Sequence, residues 1–296
     1  MIVDAHQHTW NLDRARYDWL NSGLAPIDRT MDLAEILPTM HEAGVGATIL
    51  VQSADNPEDT ANMIGVADAH PEVVGIVAWV PLDEPQRADD MLERLGKDRR
   101  IVGVRNLLHT RQDPAWVRRS EVDAGLGVLE SRGVALDYVT GDPAALNHVP
   151  DISGRHPGLA IVIDHLGKPP VGGSLTERKR WRALLAAAAE NPRVVAKISG
   201  LYPSTGELGH WTIDLLRPFV NDALDIFGPS RLMFGGDWPI SELAGGYSLV
   251  WESVSELLGT LPSTDRDEIL GGTAAAFYKL DAALLAAARP PGKEDS

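Results

Sequence analysis

The chain has no cysteine among its 296 residues. Disulfides and thiolate metal sites are therefore excluded, and any metal must be held by histidine, aspartate or glutamate. Positive charge is scarce: 27 Lys and Arg stand against 42 Asp and Glu, a net charge of -15. That balance argues against a nucleic-acid backbone or an anionic membrane surface as partner. It does not exclude a small anionic substrate, because one or two arginines make a local positive site in an acidic protein. No window approaches the roughly 18 apolar residues of a membrane span. The N-terminus enters an apolar run at once, without the basic region and apolar core of a signal peptide. The expectation is a cytoplasmic protein with a small-molecule substrate and no nucleic-acid or membrane partner; its oligomeric state, homo-oligomer or monomer, stays open.

What is present is a composition fit for a large core, 44% hydrophobic and 23% charged. Short apolar, β-rich runs recur along the chain. They begin at Ile2, Ala47, Val74, Ile101, Val134, Leu159, Val194 and Arg231. Each is followed by helical spacing, as at 31–43, 57–69, 85–96, 121–132, 176–190 and 247–259, with a further helix over 265–277. Runs apolar throughout suit strands buried on both faces of a parallel sheet. Eight such units in one chain of this length predict a single α/β domain, a closed (β/α)8 barrel over residues 1–280. A doubly wound sheet competes, but its dinucleotide fingerprint is missing, since Gly44-Val-Gly46 precedes a strand instead of following one. Residues 11–31 read as a long loop over one end of the fold, and 281–296 as a frayed tail.

A barrel places catalytic residues at the C-terminal ends of its strands. Those ends carry His6 and His8, Gln52, Trp79, Arg105 and Asn106, Asp137, Asp164 and His165, Lys197 and Ser199, and Asp237 and Trp238. His6 and His8, two apart in an extended run, aim two imidazoles at one place. Such a pair can hold a metal, orient a carbonyl or shuttle a proton. Asp237 also suits a turn cap, though two preceding glycines allow close backbone approach and favour a catalytic role. His165 reads as functional over structural. A lysine facing a barrel interior, Lys197, must be paired or working. Arg105 fits either a site or a salt bridge with Asp137 or Asp164. Of the remaining histidines, His109 and His210 are the two that loops can bring to the mouth.

Together these residues resemble the amidohydrolase superfamily, with His-x-His after the first strand, a histidine after the sixth and an aspartate after the eighth. Five segments resemble its sugar-lactonase branch, which includes L-fuconolactonase-like and 2-pyrone-4,6-dicarboxylate lactonase-like hydrolases. They are Asp4–Trp10, Val104–His109, Asp164–Pro170, Lys197–Leu201 and Leu232–Pro239. The resemblance implies a lactone hydrolase of carbohydrate catabolism. Two-metal members of the superfamily use a bridging carboxylated lysine or glutamate after the third or fourth strand and a histidine after the fifth. Here Arg105-Asn106 and Asp137-Tyr138 stand there, so the bridge is missing. His6, His8, His165 and Asp237 remain for one divalent ion, zinc first, and the branch includes enzymes that need none. The expectation is no obligatory metal.

In the mechanism this implies, Asp237 is the general base towards water and returns the proton to the departing ring oxygen. His6, His8 and His165 position carbonyl and water. Arg105 and Lys197 add positive charge, while Gln52, Trp10 and Trp238 contact substrate hydroxyls and the sugar face. Three readings compete. One is a zinc-dependent decarboxylase of aromatic or unsaturated acids on the same scaffold. Another is a serine hydrolase through Ser199, which lacks a Gly-x-Ser-x-Gly elbow. The last is a non-enzymatic binding protein. Substrate choice is expected to lie in loops 9–30, 106–120 and 200–212.

Overall fold

Apolar runs without a polar face must be covered on both sides. In the computed structural model of this chain, which describes residues 1–202 and 211–288, they are. Strands β1 (Ile2–Gln7), β2 (Val45–Val51), β3 (Val73–Ala78), β4 (Ile101–Arg105), β5 (Ala135–Tyr138), β6 (Ile161–Ile163), β7 (Val194–Ile198) and β8 (Leu232–Phe234) pair in parallel and in chain order. Helices α1 (Leu37–Glu42), α2 (Pro57–Ala69), α3 (Pro85–Leu95), α4 (Ser120–Arg132), α5 (His148–Arg155), α6 (Leu175–Ala188), α7 (Ile213–Phe227) and α8 (Tyr247–Leu258) follow the strands in turn. The seam between β8 and β1 closes through backbone bonds just beyond the strands. Asp237 N–H donates to the His6 carbonyl at 2.8 Å, and His8 N–H to that of Trp238 at 2.7 Å. The predicted barrel is therefore present, and its last seam brings Asp237 against the two N-terminal histidines.

Period-two geometry layers the barrel interior. Gly103, Ala135, Val162 and Val195 lie low in the strands, the last three packed with Val3, Ala47, Ile49 and Met233. Two residues further along the same face come Arg105, Asp137, Asp164 and Lys197. The interior thus changes from apolar to ionic within one layer, towards the end where the loops gather. Tyr278 enters the apolar half and donates its hydroxyl to both Asp137 oxygens, at 2.9 and 2.8 Å.

Three expectations change. The helix predicted over 31–43 is a 3-10 turn, Leu33–Glu35, followed by α1. Pro38, in the first turn of α1, has no N–H to donate back to the preceding turn, so the two do not run together as one helix. The helix over 265–277 splits into α9 (Ser263–Asp267), a wide turn Glu268–Gly272 and α10 (Thr273–Phe277). A side chain at Gly271 would lie 2.4 Å from the Met1 carbonyl, so the helix opens where it crosses the N-terminus. The tail read as frayed from 281 starts instead as α11 (Ala282–Ala287), capped by the Asp281 carboxylate, with Leu284 and Leu285 against the barrel core. Residues 289–296 lie outside the described residues.

Loop 11–31 crosses the mouth as expected, pinned by Tyr17 to Asp59 at 2.9 Å and by the Trp19 indole N–H to the Ser53 carbonyl at 2.7 Å. Among the described residues, no helix is long and apolar enough to cross a membrane.

Candidate active site

The floor of the site is the ionic layer. Lys197 Nζ lies 2.5 Å from Asp137 Oδ2, 3.1 Å from Asp164 Oδ1 and 3.2 Å from His6 Nδ1, with no exposure to solvent. Arg105 Nη1 lies 3.0 Å from Asp164 Oδ2 and 3.3 Å from His6 Nε2, and Nη2 donates to the Gln52 carbonyl. The salt-bridge reading of Arg105 is thus realised with Asp164. Burial opposes ionisation of Asp164, but Lys197, His6 and Arg105 overcome it and hold the carboxyl well below its usual range. Burial pushes Asp137 up to about 6, against the pull of Lys197. Two buried cations and two buried carboxylates thus compensate one another, the condition under which charge is tolerated in a core.

Asp4 joins this floor to the upper layer. Its Oδ1 accepts the N–H groups of His6 (3.0 Å) and Gly236 (2.9 Å), and its Oδ2 accepts from Gln7 and from the Tyr247 hydroxyl, both at 2.8 Å. A Cβ on Gly236 would sit 2.2 Å from the Tyr247 ring and 2.6 Å from Asp4 Oδ2. Only glycine lets the chain after β8 approach β1 this closely.

Above the floor, Asp237 stands in left-handed backbone (φ 54). Its Oδ2 accepts from the Tyr202 hydroxyl at 3.0 Å. Its Oδ1 faces His8 Nε2 at 3.4 Å and His6 Nε2 at 3.7 Å, with no hydrogen bond among the described residues. Burial would raise this carboxyl, but the surrounding imidazoles reverse the effect and leave it far below the ordinary value, hence ionised. His8 Nδ1 meets the Val51 carbonyl at 2.6 Å. A carbonyl only accepts, so Nδ1 carries the proton and Nε2 is turned to the site. His165 Nδ1 lies 2.9 Å from Ser199 Oγ, and burial lowers His165 to about 4.

Gly200 closes the group. With φ +53 its absent Cβ would lie 2.4 Å from His165 Nδ1 and 2.7 Å from Asp237 Oδ2, so the site is packed around a residue that has no side chain.

The cavity above these groups measures about 210 Å³, with His8, Arg105, His165 and Asp237 in its walls. Four expected substrate contacts are absent from those walls. Lys197 lies beneath His6. Gln52 is consumed by the Arg105 carbonyl at 2.9 Å, and the Trp10 indole N–H by the carbonyls of Arg29 and Ile27. Trp238 is buried in the core. The indole at the mouth is Trp19, stacked edge-on against Trp10 at 5.3 Å. His109 does reach the mouth, while His210 lies outside the described residues. Lys168 and Tyr202 were not singled out by sequence. The signals for Lys168 were its place three residues past His165 at a strand end and inside the Asp164–Pro170 segment that carries the resemblance. Ser199 serves as the partner of His165 and does not line the cavity.

The donor atoms of His6, His165 and Asp237 lie within 4.8 Å of one another. Together with the unpartnered Asp237 Oδ1, they fit one divalent cation, in the nitrogen–oxygen donor set that suits zinc. Among the described residues this is the one such donor group, and between Asp137 and Asp164 the Lys197 ammonium already sits where a second cation would.

Comparison with known proteins agrees with this geometry. The chain matches the amidohydrolase family over residues 3–280. It is 31% identical over 286 residues to an L-fucono-1,5-lactonase of Burkholderia ambifaria, covering 94% of this chain and 96% of that one. It is 34% identical over 292 residues to an L-fucono-1,5-lactonase of Burkholderia multivorans, with the same coverage of both chains. A solved amidohydrolase of Burkholderia multivorans with bound zinc superposes with a TM-score of 0.86 at 32% identity, covering 95% of this chain and all of that one. The chain belongs to the amidohydrolase family.

Proposed function

We propose that the protein opens a lactone, of the sugar-lactone class, to its hydroxy acid. The observation that carries this reading is the ionised Asp237, whose Oδ1 is unclaimed by any hydrogen bond among the described residues and borders a small cavity beside two imidazoles. The near full-length relatives that are L-fucono-1,5-lactonases support it.

Water held between Asp237 and the lactone carbonyl gives a proton to Asp237 Oδ1 as its oxygen attacks carbon. His8 Nε2, the acceptor nitrogen of that ring, helps hold the attacking water, His165 orients the carbonyl, and the Arg105 guanidinium stabilises the charge that develops on its oxygen. Tyr202 fixes the far carboxylate oxygen and so aims the near one. Lys197 acts through His6, which it holds from beneath. A divalent cation bound by His6, His165 and Asp237 would add Lewis-acid polarisation. It is not obligatory in this reading, because Arg105 and Lys197 already flank His6 with fixed positive charge at 3.3 and 3.2 Å.

The test is turnover of L-fucono-1,5-lactone and of other sugar and dicarboxylate lactones, read by acid release, with and without chelator and alongside metal analysis. Acid release that survives chelation supports the reading as stated. Carbon dioxide release from an aromatic acid, lost with zinc, would replace it with the decarboxylase reading.

The acid limb of kcat/KM follows from His165. With its value held at about 4, the ring is neutral from about pH 5 upward and gains a proton only below that. The expected profile on the lactone is flat from pH 5 to 7 and falls below about pH 4.5. A limb centred near the ordinary histidine value of about 6.5 would contradict it.

A further inference from the structure

Lys168 is the one cavity-wall cation that the floor does not consume. Arg105 is bound to Asp164, His6 and the Gln52 carbonyl. Lys168 is half-buried in the same cavity, and among the described residues its ammonium has no hydrogen bond or ion pair. Unusual backbone delivers it there. His165, Leu166, Gly167 and Lys168 form four consecutive residues of positive φ, at 55, 50, 68 and 57°. L-residues resist this conformation, and it persists only where surroundings impose it. Here the Trp181 indole N–H donates to the Leu166 carbonyl at 2.8 Å, Lys168 N–H donates to that of His165 at 3.0 Å, and Leu166 is fully buried. The turn sends His165 and Lys168 into one cavity.

We propose that Lys168 is a catalytic acid, placed by this left-handed turn to protonate the departing ring oxygen of the lactone. The proposal rests on the lactone reading above, and takes from Asp237 the second of the two proton transfers that the sequence assigns to it. Asp237 stands in the opposite part of the cavity wall, between Tyr202 and the imidazoles of His6 and His8, where it serves the attacking water. Water adds through its oxygen to the carbonyl carbon and leaves one proton on Asp237. As the tetrahedral intermediate collapses, the bond from that carbon to the ring oxygen breaks. Its electron pair stays on the ring oxygen, which takes a proton from Lys168 Nζ. Asp237 then returns its proton to the amine, and the hydroxy acid leaves and ionises in solvent. Of the three cations at the site, Arg105 and Lys197 are paired with Asp164 and Asp137 in the floor, which leaves Lys168 and Asp237 as the cation and carboxylate of the cavity wall. Once Asp237 is protonated, Lys168 supplies the surplus positive charge as negative charge appears on substrate oxygen. That interaction exists in the transition state and not in the ground state.

The test measures kcat and KM of wild type, Lys168→Met and Lys168→Arg on one neutral sugar δ-lactone, with melting temperatures alongside. Lys168→Met is expected to lower kcat by about 10²–10⁴-fold with KM little changed and the fold intact, since it removes no partner from any neighbour. Lys168→Arg keeps the charge but not a usable acid, and is expected to stay within about tenfold of the methionine variant. Recovery of kcat by arginine, or a loss confined to KM, overturns the proposal in favour of charge or binding alone. An inactive wild type overturns the lactone reading itself, and is distinguishable because the variants then have nothing to lose.

Discussion

Asp237→Asn lowers kcat on the lactone by about 10³–10⁴-fold while the protein stays folded. Asparagine has the same shape, and its carbonyl oxygen can still accept from the Tyr202 hydroxyl, which lies 3.0 Å from Oδ2. What it cannot do is take a proton from water. Positioned proton transfer contributes about 10²–10⁴ in rate, and the upper part of that range applies because the Asp237 side chain has no nearby substitute. Asp164 and Asp137 are spent on Lys197 and Arg105 below the cavity, and Asp4 on Gln7, Tyr247 and two backbone N–H groups. KM should move little, because the walls that hold the substrate are unchanged. The measurement is steady-state turnover beside a thermal melt. Turnover within tenfold of wild type would remove Asp237 from its role as base; a collapsed melt would show that its contacts with the imidazoles are structural.

The barrel was legible because its strands are buried on both faces and therefore apolar throughout, a pattern that survives without any alignment. The polar residues that end those strands were legible for the same reason: His6, Arg105, Asp164 and Asp237 stand out against valine and isoleucine. Depth was not legible. Lys197 and His165 both sit near strand ends, yet Lys197 is level with Asp137 and Asp164 in the floor while His165 faces the cavity. Which layer a residue joins depends on strand register and tilt across the closed barrel, which a linear pattern does not encode. Loop paths were hidden too. Trp10 is close to the histidines in sequence, but its indole turns back to the 27–29 backbone, and Trp19 reaches the mouth instead. Lys168 was hidden by a left-handed turn that only tertiary packing imposes on non-glycine residues. The helix Ala282–Ala287 at the start of the tail was not legible because it is short and alanine-rich, and owes its place to Leu284 and Leu285 packing on the barrel end.

Lys197→Met is the substitution expected to cost the most stability, about 3–5 kcal/mol. The methionine fills most of the space, so the loss is electrostatic and not a cavity effect. Lys197 Nζ is 2.5 Å from Asp137 Oδ2 and 3.1 Å from Asp164 Oδ1, in a layer without solvent. Removing it leaves two carboxylates facing each other, with Arg105 compensating only Asp164. The pair answers by keeping a proton. Burial already raises Asp137 to about 6, and loss of the lysine drives it further up, so the variant should carry Asp137 neutral at pH 7. For a carboxyl raised in the folded state, stability is full at low pH and falls as pH rises through the folded value. Lys197→Met should therefore lose the most stability relative to wild type at alkaline pH and recover towards pH 5. The second variant that isolates the cause is Lys197→Met with Asp137→Asn. Asparagine removes the uncompensated charge while its side-chain oxygen can still accept from Tyr278, so the double variant should regain more than half of the lost stability and show little of the pH dependence. Denaturant unfolding of the three proteins at pH 5, 7 and 9 measures both effects. A double variant no more stable than the single one would mean that Lys197 supports the floor by its packing, and that Asp137 is not the charge it neutralises.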